Sequence, residues 1–350
     1  MLNIILFLLV LGFLIFIHEL GHFLFAKKLK VPVEEFAIGF PPNIFRKKFK
    51  DTVYSLNLFF LGGYVKLRGE NDPQDIEGFL NKPPLVKILV TIAGVVFNIV
   101  LAYFLFSIGY LIGMPEYSQD SKNIVILQVF PNAVAEKSDL KIFDRLLYLK
   151  TENEIINFNK IEDVRKILEN FIDKEILLGI ERKGEIKEIK LTPKKQNNLG
   201  PLGVRLGTVD IVKYNFPLNF YFGLIKTKNS VINFFLGIKD FFVRLIAGQK
   251  EALKEVVGPL GIYDIYNQFK ALGINYLIFF IAIISLNLAI INMLPIPALD
   301  GGRFVFYFYE LLTQKKINPN FENVVNIAGF VFLIVLMILI TIKDIISKIQ

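Results

Sequence analysis

The chain contains two histidines, His18 and His22, which are four positions apart, and Glu19 directly follows the first. On a helix this spacing places both imidazoles on one face. The pattern H-E-x-x-H is typical of metalloproteases in which two histidines bind zinc and the glutamate is a general base. It therefore predicts that His18 and His22 bind Zn2+ and that Glu19 activates water. The alternative is a set of interfacial polar residues that ends an apolar helix without binding a metal.

A catalytic zinc site needs a third protein ligand, and the chain has no cysteine and no further histidine to supply it. A carboxylate remains, and Asp300 follows directly on a long apolar run. We expect Pro295 and Pro297 to break the helix before it, so that Asp300 lies on irregular backbone sheltered by protein or lining a wet cavity. Asp300 is the predicted third ligand. Taken alone, its P-x-P-x-x-D-G-G segment also fits a turn that leaves a membrane.

Long runs without charge must position these residues, because the chain is 53% hydrophobic and its mean hydropathy is +0.50. A helix that spans a bilayer needs roughly 18 apolar residues or more, and four runs come near or exceed that length. They are Met1 to Ile17, Ile88 to Met114, Ala271 to Leu299 and Asn323 to Ile342. The first run also fits a cleaved secretory signal, but no Lys or Arg precedes it and no small-residue cleavage site follows Phe25. Four transmembrane helices are therefore predicted.

The net charge of +8 is concentrated between the first two apolar runs. Lys and Arg in a short loop between spans indicate the cytoplasmic side of a membrane, and this clustering does not resemble a nucleic-acid groove. We therefore expect no nucleic-acid partner, both termini outside, and an active site that faces the cytoplasm. In this topology His18 and Asp300 both lie at the cytoplasmic ends of their helices.

The segments between the runs predict three further parts. Strand-like stretches around Gly62 and Gly63 predict a β-hairpin that associates with the membrane and offers an edge to an extended peptide. Short strands around a helix predict one small exported domain, and an aromatic stretch interrupted by charges predicts a segment that lies in the interface. The fold class is a polytopic α-helical membrane protein with one exported α+β domain. The predicted segments are transmembrane helix 1 (1–26), a cytoplasmic loop with the hairpin (27–84), transmembrane helix 2 (85–114), the exported domain (118–207), the interfacial amphipathic segment (208–270), transmembrane helix 3 with N-M-L-P-I-P-A-L-D-G-G (271–302), a cytoplasmic loop (303–322) and transmembrane helix 4 (323–344).

Four motifs together resemble the site-2 protease family of intramembrane zinc metalloproteases, and most of all its bacterial branch of RseP-type regulators of sigma factors. They are H-E-L-G-H at 18–22, G-G-Y-V-K at 62–66, V-G-P-L-G-I at 257–262 and N-M-L-P-I-P-A-L-D-G-G at 292–302. The resemblance implies a zinc endopeptidase of the bacterial inner membrane. Its substrates would be single-span membrane proteins in the lipid bilayer, such as anti-sigma factors and remnant signal peptides, cut in regulated intramembrane proteolysis. It also implies that the exported domain is a PDZ domain.

Polar and turn residues near the predicted centre are candidates for substrate binding. Asn98 and Asn292 lie within or beside apolar runs, where they can bind a substrate backbone or bond helix to helix. The candidate set is Asn292, Pro295, Pro297, Gly62, Gly63 and Asn98. Residues 137–144 lack the glycines usual in a PDZ domain, so we expect a size filter or gate rather than binding of a peptide carboxylate.

Two other functions fit the same sequence. One is a non-enzymatic membrane scaffold that binds partners through its exported domain and has a degenerate metal site. The other is a metalloprotease that cuts soluble or lipidated peptides at the membrane surface. Intact ligands and base argue against the scaffold.

Overall fold

The computed structural model describes residues 2–70, 72, 74–118, 122–130, 132–151, 154–182, 184–195, 200–249 and 256–349. The α-helices in this part of the chain are α1 (Leu2–Lys28), α2 (Pro84–Ile112), α3 (Val134–Lys137), α4 (Ile161–Glu169), α5 (Leu218–Ile246), α6 (Pro259–Leu272), α7 (Ile274–Met293), α8 (Asp300–Thr313) and α9 (Pro319–Ile349), with one 3-10 turn at Phe79–Asn81. The strands are β1 (Val33–Phe49), β2 (Thr52–Leu67), β3 (Met114–Tyr117), β4 (Ile124–Val129), β5 (Arg145–Lys150), β6 (Ile155–Asn157), β7 (Ile176–Arg182), β8 (Glu185–Leu191) and β9 (Val204–Val212).

Four helices in the described part of the chain are long and apolar enough to cross a membrane. They are Leu2–Lys28, Pro84–Ile112, Ile274–Met293 and Pro319–Ile346. Their ends follow from the sequence: α1 ends at a lysine pair, α2 and α9 begin at a proline, and α7 ends just before Pro295. The four apolar helices predicted from the sequence are therefore present, and their orientation in a membrane stays a prediction.

The chain divides into two compact units, of which the first comprises Met1–Ile108, Phe220–Leu236 and Phe280–Ile338. In this unit β1 and β2 form an antiparallel hairpin, and Phe36 lies opposite Tyr54 and Val65. The ring of Phe36 stacks on Phe23 of α1 with centroids 4.8 Å apart, and Tyr54 meets Phe23 edge-on at 6.0 Å. This aromatic cluster fixes the base of the hairpin against the helix that carries both histidines.

The far half of the hairpin leaves large apolar side chains uncovered. From Phe40 to Lys50 every residue is exposed, including Ile44, Phe45 and Phe49. Basic residues alternate with these side chains. A surface of exposed apolar and basic side chains suits a membrane interface. Association of the hairpin with a membrane stays a prediction.

A small core in the same unit joins α2 to α8. The Lys87 ammonium group is fully buried, pairs with the Glu310 carboxylate and lies 4.7 Å from the centroid of the Tyr307 ring. The apolar residues packed there are Ala26, Val31, Val33, Leu67, Phe79, Ile88 and Val90. Because this core includes both ends of the hairpin and the start of α2, it holds in place the elements that lie around the predicted metal ligands.

The second unit comprises Gly109–Asn219, Gly237–Phe279 and Leu339–Gln350. Within the described residues its sheet has the strand order β3-β9-β4-β5-β7-β8, with β6 beside β5, and every pair is antiparallel. Helix α4 packs Val164 and Leu168 into the core of this sheet. The sheet begins at Met114 and ends at Val212, so it starts before and ends after the predicted domain at 118–207.

The predicted interfacial segment, 208–270, contains the end of β9 and the helices α5 and α6. Helix α5 is not one of the four candidate spans, and its exposed side chains include Tyr221 and Phe235. The V-G-P-L-G-I motif begins α6, where the Gly261 N–H donates to the Asp344 carboxylate at 3.2 Å. This bond satisfies one of the free N–H groups at the helix N-terminus.

Candidate metal centre

Three elements position the predicted metal ligands. Helix α1 presents His18, Glu19 and His22, and His18 is 6% exposed. Asp300 is the first residue of α8, directly after the irregular connection that follows α7. A side chain at Gly301 would collide with the carbonyl oxygen of Leu294, so the glycine lets the start of α8 lie against the end of α7. The proline-broken connection predicted from the sequence thus brings Asp300 to α1.

The donor atoms of the two histidines and Asp300 converge on one point. His18 Nε2 lies 2.9 Å from Asp300 Oδ2, His22 Nε2 lies 3.3 Å from the same oxygen, and the two Nε2 atoms are 3.1 Å apart. Ligand atoms 2.0–2.2 Å from a tetrahedral zinc ion stand about 3.3–3.6 Å from one another. The three separations lie at the lower end of that range or up to about 0.4 Å below it. Among the described residues these atoms form the group that could hold a metal ion.

Helix α2 contacts both imidazoles from behind. The His22 Nδ1–H donates to the Val90 carbonyl oxygen at 2.8 Å, which leaves the Nε2 lone pair free for a metal. Asn98 Nδ2 lies 3.4 Å from His18 Nδ1. Between these two contacts Gly94 faces the histidines, and a Cβ atom there would lie 2.5 Å from His22 Nε2 and 2.7 Å from His18 Nε2. Glycine is therefore required where α2 passes the centre.

A cavity of about 180 Å³ opens beside these donor atoms. Glu19 lines it together with His18, His22 and Asp300. Its other walls come from β2, from the segment that follows the hairpin, and from α2 and α8, through Tyr64, Val65, Leu67, Glu70, Phe79, Val90, Thr91 and Arg303. The carboxylate that the sequence predicts as general base thus shares a space with the three predicted ligands.

Charges in the cavity are paired. Burial alone would raise the pKa of the Asp300 carboxyl, but the imidazoles of His22 and His18 outweigh it and hold that pKa well below its usual range. Burial disfavours the charged form of Arg303, yet its ion pair with Glu70 raises the pKa of the guanidinium.

The predicted substrate-binding residues fall into two groups. Asn292 lines a second cavity of about 200 Å³ with Glu19, and its Nδ2 lies 3.5 Å from His18 Nε2. A Cβ at Gly63 would lie 3.3 Å from Glu19 Cγ, so this glycine also lies at the centre. The others line neither cavity: Gly62 packs on the Phe40 ring, Pro297 packs against Gly329 of α9, Pro295 lies in the connection before α8, and Asn98 is 0% exposed behind His18.

Sequence reasoning did not single out several residues at the centre. The sequence contains a signal that could have identified Arg303, because this residue is three positions after Asp300 on α8 and so lies on the same face of the helix. Gly94 carries a weaker one, as a glycine within an apolar span. The Val90 contact carries none, since it uses a backbone carbonyl that every residue type provides.

The chain has four apolar helices, and it places two histidines, an aspartate and a glutamate around one cavity. This architecture and this set of donor groups are those of a membrane metalloprotease. Comparison with known families agrees: the chain matches Peptidase family M50 over residues 6–336 and belongs to that family. It is 33% identical over 341 residues to "Putative zinc metalloprotease FN1322" of Fusobacterium nucleatum, with 96% of each chain covered.

Two further relatives extend the comparison. The chain is 33% identical over 351 residues to "Putative zinc metalloprotease CA_C1796" of Clostridium acetobutylicum, covering 99% of this chain and 98% of the relative. It is 27% identical over 429 residues to "Probable protease eep" of Enterococcus faecalis, covering 98% of both. The protein is accordingly a zinc metalloprotease, and the predictions of an enzyme and of a Zn2+ cofactor are confirmed.

Proposed function

We propose that this protein cleaves membrane-spanning segments of single-span membrane proteins, in the manner of RseP-type site-2 proteases. In this proposal His18, His22 and Asp300 hold the zinc ion and Glu19 is the general base. The observation that carries it is the position of Glu19 on α1, a helix apolar and long enough to span a bilayer, in one cavity with the three ligands. A protease built into such a helix meets substrates that lie in the membrane.

The chemistry follows from the donor set. Zinc, when bound, supplies a Lewis acid that acidifies water and polarises the scissile carbonyl. Glu19 takes a proton from the attacking water as the oxygen adds to the carbonyl carbon. The carbon–nitrogen bond then breaks, and Glu19 returns the proton to the leaving amine. Asn292, whose Nδ2 lies 3.5 Å from His18 Nε2, is placed to donate to the carbonyl oxygen as charge develops on it.

The hairpin supports a role in holding the substrate. A helix must unwind before its peptide bonds become accessible, and an unwound segment needs partners for its N–H and C=O groups. Residues 35–38 of β1 pair with two parts of β2, 53–56 and 63–66, so this part of β1 has partners on both edges. Among the described residues, the end of β2, residues 63–67, pairs along one edge only and contributes Tyr64, Val65 and Leu67 to the wall of the cavity. An extended substrate can pair with such an edge beside Glu19.

The same proposal includes the orientation predicted from charge. The basic loops 27–84 and 303–322 face the cytoplasm of a bacterium, and the sheet domain lies outside the inner membrane as a PDZ-like domain. A groove of about 190 Å³ between α4 and β9 supports peptide binding by this domain. Gly200 lines this groove and Gly203 follows it in the chain; both have positive φ and supply glycines of the kind that residues 137–144 lack. Peptide binding is therefore favoured over a pure size filter.

The decisive experiment compares Glu19→Gln with a matched control, Glu77→Gln, whose side chain is 72% exposed. Each protein is purified, its zinc is quantified, and it is reconstituted with a single-span substrate or with the soluble fragment of that substrate. We expect Glu19→Gln to retain zinc and to lose cleavage by about 10²- to 10⁴-fold, because only the base is removed. Glu77→Gln should match the wild type.

Each outcome separates two hypotheses. Undiminished cleavage by Glu19→Gln would end the assignment of Glu19 as the base. Preferred cleavage of the soluble fragment would overturn the intramembrane substrate class and favour a protease that acts at the membrane surface.

A further inference from the structure

Asn98 is a buried amide directly behind one of the metal-binding histidines. It lies on α2 one turn after Gly94 and is 0% exposed, so it is closed off from any substrate. The Ser285 hydroxyl donates to the backbone carbonyl of Asn98 at 2.9 Å and ties this turn of α2 to α7. The backbone of Asn98 is therefore fixed, and its side-chain amide faces His18.

The hydrogen bonds around this amide are incomplete as they stand. Asn98 Nδ2 lies 3.4 Å from His18 Nδ1, whereas Asn98 Oδ1 is buried with no partner. A bond from Nδ2–H to Nδ1 requires His18 to carry its proton on Nε2, where it donates to Asp300 Oδ2 at 2.9 Å. A protonated Nε2 cannot bind a metal, and the buried oxygen without a partner is unfavourable.

A half-turn of the amide about its Cβ–Cγ bond resolves both problems. Amide oxygen and nitrogen are nearly equal in size, so the exchange leaves the backbone and neighbouring side chains in place. Oδ1 then accepts a hydrogen bond from His18 Nδ1–H, and the lone pair of Nε2 is free. His22 already has the matching arrangement, because its Nδ1–H donates to the Val90 carbonyl.

A second contact agrees with an unprotonated Nε2. Asn292 Nδ2 lies 3.5 Å from His18 Nε2, and two N–H groups facing each other there would repel. We propose that Asn98 is a positioning residue whose amide oxygen accepts from His18 Nδ1–H and so sets the tautomer and ring orientation of His18 for zinc. This inference rests on the proposed zinc ligands and assigns Asn98 to the metal centre rather than to the substrate.

The test uses variants that separate accepting from donating. Asn98→Asp can accept from Nδ1–H but cannot donate to Nδ1, and Asn98→Leu has similar volume and can do neither. Asn287→Leu on α7 is the control for removing an amide from an apolar helix. Zinc affinity is measured by competition with a chelator. The His18 tautomer is read from long-range proton–nitrogen NMR spectra of protein labelled at histidine. The chain has two histidines, so the spectra contain signals from two imidazoles.

We expect Asn98→Leu to weaken zinc binding roughly 10- to 100-fold, as other losses of a partner behind a metal-binding histidine do. Asn98→Asp and Asn287→Leu should stay within about threefold of the wild type by the same reasoning. In the zinc-bound wild type and in zinc-bound Asn98→Asp the His18 proton should be on Nδ1.

Three results would overturn the proposal. They are wild-type zinc affinity in folded Asn98→Leu, a loss in Asn98→Asp as large as in Asn98→Leu, and the absence of a proton on His18 Nδ1 in the zinc-bound wild type. The Asp variant keeps the test decisive if the Leu variant does not fold. His18→Ala, measured in parallel, separates the two hypotheses: if it also retains zinc, the ligand assignment itself fails.

Discussion

Replacing Gly94 with alanine would place a methyl group between α2 and the two imidazoles. A Cβ at this position lies 2.5 Å from His22 Nε2 and 2.7 Å from His18 Nε2, whereas ordinary contacts begin at 3.4 Å. The His22 imidazole must therefore retreat by about 0.9 Å to relieve the closest contact. Metal–ligand distances vary by only about 0.2 Å in functional sites. The displacement is several times larger than a zinc site tolerates.

We expect Gly94→Ala to reduce zinc affinity by roughly 10- to 100-fold or more, and to reduce cleavage with it. Folding should be retained, because alanine favours a helix over glycine by about 1 kcal/mol. The assay is zinc content after dialysis against a weak chelator, with thermal unfolding recorded on the same sample. Gly237→Ala is the matched control: it is also a helix glycine, and its Cβ would meet no atom within 4 Å.

Zinc binding and substrate cleavage by Gly94→Ala at the level of Gly237→Ala would refute this explanation. That result would mean that the histidines can move away from α2 without losing the metal. A variant that loses zinc together with its folded structure would instead place the clash in the packing of the helices.

Two further perturbations test the elements around the centre. Glu310→Leu should destabilise the protein by about 3–5 kcal/mol because it leaves Lys87 buried without its partner. The double variant Lys87→Met/Glu310→Leu should recover most of that stability, as measured by thermal unfolding. Equal stability of the single and double variants would contradict this explanation. Because the chain has no tryptophan, Phe49→Trp at the hairpin end gives a single fluorophore, which brominated lipids should quench in proteoliposomes. Ile186→Trp, a similarly exposed site on β8, should be quenched less, and equal quenching would count against a membrane-bound hairpin.

Local patterns in the sequence were sufficient for much of the architecture. The spacing of His18 and His22 depends only on the pitch of one helix, and each candidate span is a single run of apolar residues. Asp300 could be chosen because donor chemistry left few options and a proline-broken run placed it at the end of a helix. The helices and the proximity of Asp300 to the histidines agree with these inferences because each depends on residues close together in the chain.

Other features depend on distant pairing and were not predictable. Val90 accepts from an imidazole 68 residues earlier, and Glu70 pairs with Arg303, which is 233 residues later. The start of the second unit's sheet at Met114 follows from the pairing of β3 with β9, which no local alternation reveals. For Asn98 the sequence leaves two roles open, substrate binding and bonding between helices, because polarity in an apolar run does not tell which way a side chain faces.

The separation of the ligands along the chain also determines when the enzyme can become active during its synthesis. His18 and Asp300 are 282 residues apart. At ribosomal rates of about 5–20 residues per second, the third donor emerges roughly a quarter of a minute to a minute after the first. With Asp300 as the proposed third ligand, the nascent chain until then offers zinc only two imidazoles, so we expect a product truncated before Asp300 to lack proteolytic activity.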